Sequence, residues 1–236
     1  MKKYFGLKIL FILIIVVLQS CAQTQTRSLT TRLFDDYQKN KKILLLPVDI
    51  ELCELTIGTM CQVKADWSEN ATNFFNSYLR EKLNARNVEL VEYSASKSKE
   101  NQEVVSQLVK LSAALGSALY LHEFVPGNKL PLKKEFDWNL GPSSAVLKRQ
   151  YDADYALLIF VRDSYSSGER IMFQVLSALL LGYIPGGGVQ AGYASLLDLN
   201  KGKIVWYNHL YREVGDLRDK EGADESVGLF LKSFPE

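Results

Sequence analysis

The stretch Tyr155-Ala156-Leu157-Leu158-Ile159-Phe160-Val161 limits the possible folds more than any other part of this chain. A strand points successive side chains to opposite faces, so an unbroken apolar run needs cover on both sides. It therefore belongs at the centre of a sheet with helices on both faces. Ile43-Leu44-Leu45-Leu46 is a second short apolar run. It passes through Pro47 into an alternating Val48, Ile50, Leu52 pattern, which reads as a strand with an edge or bulge at the proline.

Helical spacing fills the intervals between strands. Asp66-Trp67-Ser68-Glu69 has the form of a capping box and precedes Ala71, Phe74, Phe75, Tyr78, Leu79 and Leu83, apolar positions on one helical face. Val88–Tyr93 reads as a short strand and Glu100–Leu121 as a second helix. Pro126–Pro142 is a long loop, of the kind that is functional or mobile. A short helix over Ser144–Gln150 leads into the central strand. Ser166-Ser167-Gly168-Glu169 offers another capping box ahead of an apolar segment, Ile171–Ile184. Ala191–Leu197 and Ile204–Tyr211 are strands joined by Asp198-Leu199-Asn200-Lys201-Gly202, a hairpin signal with glycine at a left-handed position. Asp219 caps a final helix. The order β-α-β-α-β-α-β-β-α predicts an α/β fold. We expect a single domain with a mixed sheet, helices on both faces and a C-terminal antiparallel hairpin.

Lys2 and Lys3, an apolar run of roughly ten residues and Leu18-Gln19-Ser20-Cys21 form the first segment. A bilayer-spanning helix needs about 20 residues. A charged start, a short apolar core and a small residue before the cut are the marks of a secretory leader. The cysteine after Leu-Gln-Ser makes this resemble a bacterial lipoprotein signal, with cleavage before Cys21 and acylation of its thiol. The expected organisation is a leader over 1–20, a tether over 21–42 and a periplasmic α/β domain over 43–236. Ala22, rather than Asp, after the cysteine resembles the pattern that sorts such proteins to the outer membrane in proteobacteria.

Removal of Lys2, Lys3 and Lys8 with the leader leaves 25 basic against 27 acidic groups, a net charge of −2. That balance argues against nucleic acid or a polybasic membrane patch. Of three cysteines, Cys53 and Cys61 remain beside Cys21, with Gly58 between them. In an oxidising compartment they form either a disulfide across a tight turn or two buried thiols on a bent strand. A zinc site does not fit this spacing.

Residues able to do chemistry are few. His122 and His209 have no motif partners and read as packed or surface residues. Asp152 and Asp154 read as residues that end and cap the chain entering the central strand. The three glycines at 186–188 follow a helix and precede a strand, the reverse of a phosphate loop, and read as a turn. Arg162, Asp163 and Ser164 follow the central strand, where open α/β sheets place ligands, and are a candidate polar binding site. Ile171–Ile184 is apolar nearly all round. It reads first as a fully buried helix, with a protomer interface or membrane insertion as the alternatives.

The runs Tyr151–Leu157, Arg162–Tyr165 and Gly188–Leu199, with Asp66–Glu69 and Gly215–Arg218, resemble a family of uncharacterised bacterial lipoproteins. More distantly, the element order and the hairpin at Lys201–Lys203 are similar to lipoproteins with the fold of the TolB N-terminal domain and to curli-secretion lipoproteins. That resemblance implies assembly rather than catalysis. The long amphipathic strands of a secretion barrel are not evident. The expectation is a non-enzymatic interaction or envelope-assembly component. It would be anchored at the periplasmic face of the outer membrane, use no cofactor or metal, and meet the lipid bilayer through Cys21 and an envelope protein or a second copy of itself. The rivals are a small-ligand-binding or enzymatic domain using Arg162, Asp163 and Ser164, and a membrane-inserting oligomer.

Overall fold

A computed structural model describes residues 24–30, 42–58, 60–95, 99–182 and 186–235. Cys21 and the leader lie outside the described residues. The described chain is an α/β fold with an eight-stranded mixed sheet. In chain order the strands are β1 (Thr24–Thr30), β2 (Lys42–Leu45), β3 (Asp49–Leu55), β4 (Cys61–Val63), β5 (Glu89–Glu92), β6 (Tyr155–Ser166), β7 (Gln190–Asp198) and β8 (Ile204–Arg212). The helices are α1 (Ala65–Asn84), α2 (Lys99–Leu119), α3 (Ala145–Tyr151), α4 (Gly168–Leu181) and α5 (Lys220–Phe230).

β6 is the spine. One side pairs antiparallel with β7 from Tyr155↔Asp198 to Asp163↔Gln190. The other pairs parallel with β2 and then with β3, as far as Ser166↔Leu55. Pro47 falls in the break between β2 and β3. It has no N–H to give a ladder, and it is why one long strand is divided there. β7 and β8 form the expected antiparallel hairpin, closed by Gly202 at φ +70°.

Alternation along the strands separates two cores. Ile43, Leu45, Leu157 and Ile159 pack with Phe75 and Leu79 of α1 and Val227 and Phe230 of α5. Leu44, Leu46, Ala156 and Leu158 pack with Val105 and Leu108 of α2 and Leu147 of α3. The segment Gln102–Phe124 is long and apolar enough to cross a membrane by length and composition. Here it lies along the sheet. Tyr193 donates to the Ser112 carbonyl at 2.7 Å and Tyr207 to the Gly116 carbonyl at 2.9 Å.

Several expectations are corrected. Thr24–Thr30, read as tether, is an edge strand paired antiparallel with β8 from Thr24↔Arg212 to Thr30↔Trp206. Its polar side chains are no obstacle, because an edge strand needs only its backbone to join a ladder. α1 starts at Ala65 with no side-chain cap, so Asp66 lies inside the first turn. Ser68 does the tying instead: its Oγ accepts from Leu52 N at 2.9 Å and donates to Lys64 O at 2.8 Å. α4 starts directly after Ser167, which caps it by accepting from Arg170 N. The end of the long loop is pinned, with Leu140 N donating to Gly202 O and Ile204 N to Trp138 O. Asp219 caps α5 as expected, accepting from Gly222 N.

Candidate functional site

Arg162, Asp163 and Ser164 lie within β6, not beyond its end, because pairing with β3 carries the strand on to Ser166. Alternation then parts them. Arg162 reaches Asp49 Oδ1 at 2.8 Å and lies over the Phe160 ring at 4.0 Å. Ser164 Oγ bonds the backbone of Val189, accepting from N at 2.9 Å and facing O at 3.1 Å. Asp163 points to the opposite face and is 2% exposed. Arg162 is thus set apart, while Asp163 and Ser164 line one cleft.

Asp163 belongs to a buried polar chain. Its Oδ2 accepts from Tyr165 Oη at 2.5 Å and Gln190 Nε2 at 2.8 Å. Tyr165 Oη accepts from Leu217 N at 2.8 Å. Gln190 Oε1 accepts from Arg212 Nε at 2.6 Å, and Arg212 in turn meets Glu225 and Ser226. Burial pushes the Asp163 carboxyl up to about 6, against the opposing effect of the bonds from Tyr165 and Gln190. The cleft beside it, about 340 Å³, is also lined by Gln174, Glu213 and Arg218. Arg218 pairs with Asp216 and covers the Tyr165 ring at 3.9 Å, so these polar groups largely satisfy one another.

The other candidates have structural partners. His209 stacks on Tyr120 with centroids 4.0 Å apart. Burial, with the Arg27 charge as a second cause, pushes its pKa down to about 4. His122 Nδ1 sits 2.6 Å from Asn128 O. Asp152 pairs with Lys42 at 2.7 Å, and Asp154 Oδ2 accepts from Lys42 N at 3.3 Å. Cys53 and Cys61 are linked as a disulfide, with Cα atoms 5.4 Å apart, tying β3 to β4. Among the described residues no group of acidic, histidine or cysteine side chains is placed to hold a metal.

The feature that demands a partner is α4. The expectation of a fully buried helix is overturned: Leu179, Leu180 and Leu181 are 77%, 78% and 76% exposed. Ile171, Met172, Phe173, Val175 and Leu176 are also exposed. The residues turned inward are polar, Arg170 and Ser177. Arg170 Nη1 donates to Thr56 O at 3.0 Å and Nη2 to Gly186 O at 2.7 Å, and Gln174 Nε2 also reaches Gly186 O. α4 is thus fastened by hydrogen bonds along one stripe and makes only sparse contact with other elements. Fully burying a side chain of this kind contributes about 1.5–3 kcal/mol, which water around α4 withholds. Gln174 and Ser177 interrupt the apolar run in the sequence. Together with Arg170 they recur at helical spacing, and that stripe was the available sign of an inverted helix.

Ile57 and Met60 in the β3–β4 turn and Val214 after β8 are likewise exposed. Sequence reading did not single them out, since isolated apolar residues in turns carry no periodic signal.

No protein-family model matches this chain, and no curated protein matches its sequence. Among solved structures it is similar to the PelC dodecamer from Paraburkholderia phytofirmans, at 12% identity and a TM-score of 0.41, covering 89% of this chain and 95% of that one. A variant of the same dodecamer gives 12% identity and a TM-score of 0.42, covering 89% and 96%. Both are remote likenesses.

Proposed function

We propose that this chain is a lipoprotein of the bacterial envelope that works by contact rather than catalysis. Cys21 carries the acyl anchor, the α/β domain lies on the periplasmic face of the outer membrane, and the outward surface of α4 is the contact surface. The observation that carries this reading is the inversion of α4. Its polar stripe faces the body and its apolar residues face outward, an arrangement that leaves α4 exposed until something outside the described chain covers it.

The test is mass spectrometry of the mature N-terminus together with crosslinked affinity capture from native membranes. The expected result is a diacylated or triacylated Cys21 and a reproducible contact made through α4. An intact leader or a free thiol on Cys21 would remove the anchor. Photo-crosslinkers placed at Leu179 and Leu180 that reach neither lipid nor protein would remove α4 as the contact surface.

A further inference from the structure

We propose that α4, with Ile57, Met60 and Val214, is a membrane-docking face whose occupant is the headgroup–acyl boundary of a phospholipid bilayer. This deepens the preceding proposal and rests on its lipid anchor at Cys21.

The sheet register brings these parts to one end of the domain. Thr24 pairs with Arg212, Arg212 with Gln190, and Gln190 with Asp163, so the start of β1 and the end of β6 lie level. α4 begins five residues after Asp163, and the β3–β4 turn follows Leu55, the partner of Ser166. Val214 follows the end of β8. Three ladder spacings separate Thr24 from Asp163, about 14 Å. Cys21 is three residues before Thr24, a reach of at most about 11 Å. The chain that leads to Cys21 therefore enters the sheet at the same end as α4, a helix of 14 residues about 21 Å long.

Both ends of the sheet carry ion pairs, Lys42–Asp152 and Lys203–Asp137 at the far end and Lys64–Glu54 and Arg218–Asp216 at the end of α4. On α4 the exposed residues from Ile171 to Leu181 are mostly apolar, with Glu169 at the start of the helix and Glu213 and Arg218 lining the adjacent cleft. At 14 residues α4 is too short to span a bilayer. It can lie in the interface with its exposed apolar residues in the acyl boundary, beside a lipid chain that supplies the second attachment.

The test uses the full-length acylated protein in vesicles of phosphatidylethanolamine and phosphatidylglycerol. An environment-sensitive thiol dye is placed at Leu180→Cys on α4 or at Lys201→Cys on the far hairpin. With Cys21 acylated and Cys53 bonded to Cys61, the wild type takes up no dye. Position 180 is expected to shift to the blue and to be quenched by lipids carrying a quencher on the acyl chain. Position 201 is expected to do neither. Leu179→Glu, at an exposed site that leaves the fold intact, is expected to lower the quenching. A dye at position 180 that stays in water while the protein floats with vesicles would overturn the proposal. So would a blue shift without quenching by lipid, which identifies a second copy or another protein as the occupant. Dye uptake by the wild type reports a free Cys21 and a failed anchor; quenching at position 180 then still decides whether α4 meets lipid.

Discussion

Asp163 is a carboxylate held among Tyr165, Gln190 and the Leu217 backbone with no cation directly on it. Its pKa in the fold, about 6, lies above the ordinary carboxylate value. The folded state therefore holds the proton more tightly than the unfolded state between about pH 4 and 6, and stability falls as pH rises through that window. Asp163→Asn removes the slope. The melting temperature of the variant relative to wild type is expected to climb from pH 4 to pH 7, by at most about 3 kcal/mol in stability. A flat difference would place the carboxylate in a more solvated setting. His209 acts with the opposite sign. Its pKa is pushed down to about 4, so the unfolded chain takes the proton first, and stability is lost as pH falls from about 6.5 to about 4. His209→Gln is expected to abolish that loss in the same melting series. Arg27→Ala should shrink it, because Arg27 on β1 stands opposite His209 in register.

At the scale of elements, the β3–β4 hairpin and α2 offer direct tests. The disulfide joins cysteines eight positions apart and closes the loop that contains Thr56, whose carbonyl holds Arg170. Cys53→Ser with Cys61→Ser is expected to lower unfolding stability by about 2.5 kcal/mol in denaturant titration. No change would mean the pair does not constrain the unfolded chain. Gly116 lets α2 approach the sheet: a Cβ there would meet Tyr193 Cζ at 2.1 Å. The ring is fixed between Phe160 and Tyr207 and by its bond to Ser112, so Gly116→Ala is expected to cost about 1–3 kcal/mol. Elements with strong apolar periodicity were legible in the sequence: β6, α1, α2 and the β7–β8 pair stand where their patterns put them. β1 was not, since Thr24-Gln25-Thr26-Arg27-Ser28-Leu29-Thr30 joins the sheet through backbone bonds that no side-chain pattern reports. Arg162–Ser164 was recognised as polar chemistry near β6, but where the strand ends decides which face each residue takes, and pairing with β3 set that end. The apolar length of α4 was plain; its direction was not, because hydrophobicity calls for cover without saying whether the chain or its surroundings supply it.

Across the whole molecule, α4, Ile57 and Met60 gather exposed apolar side chains at the end of the sheet where β1 starts, while Leu130 and Leu132 are exposed in the loop before Asp137. The proposed anchor at Cys21 would turn the α4 end toward the bilayer. The most direct measurement is hydrogen exchange on the acylated full-length protein, in vesicles and in a mild detergent exchanged for amphipol. α4 is fastened mainly through Arg170 and Gln174, so its amides are expected to exchange readily when no bilayer is present. On vesicles, peptides covering 168–181 are expected to slow while those covering the hairpin at 198–203 keep their rate. Equal protection at both ends, or none over 168–181, would contradict the account.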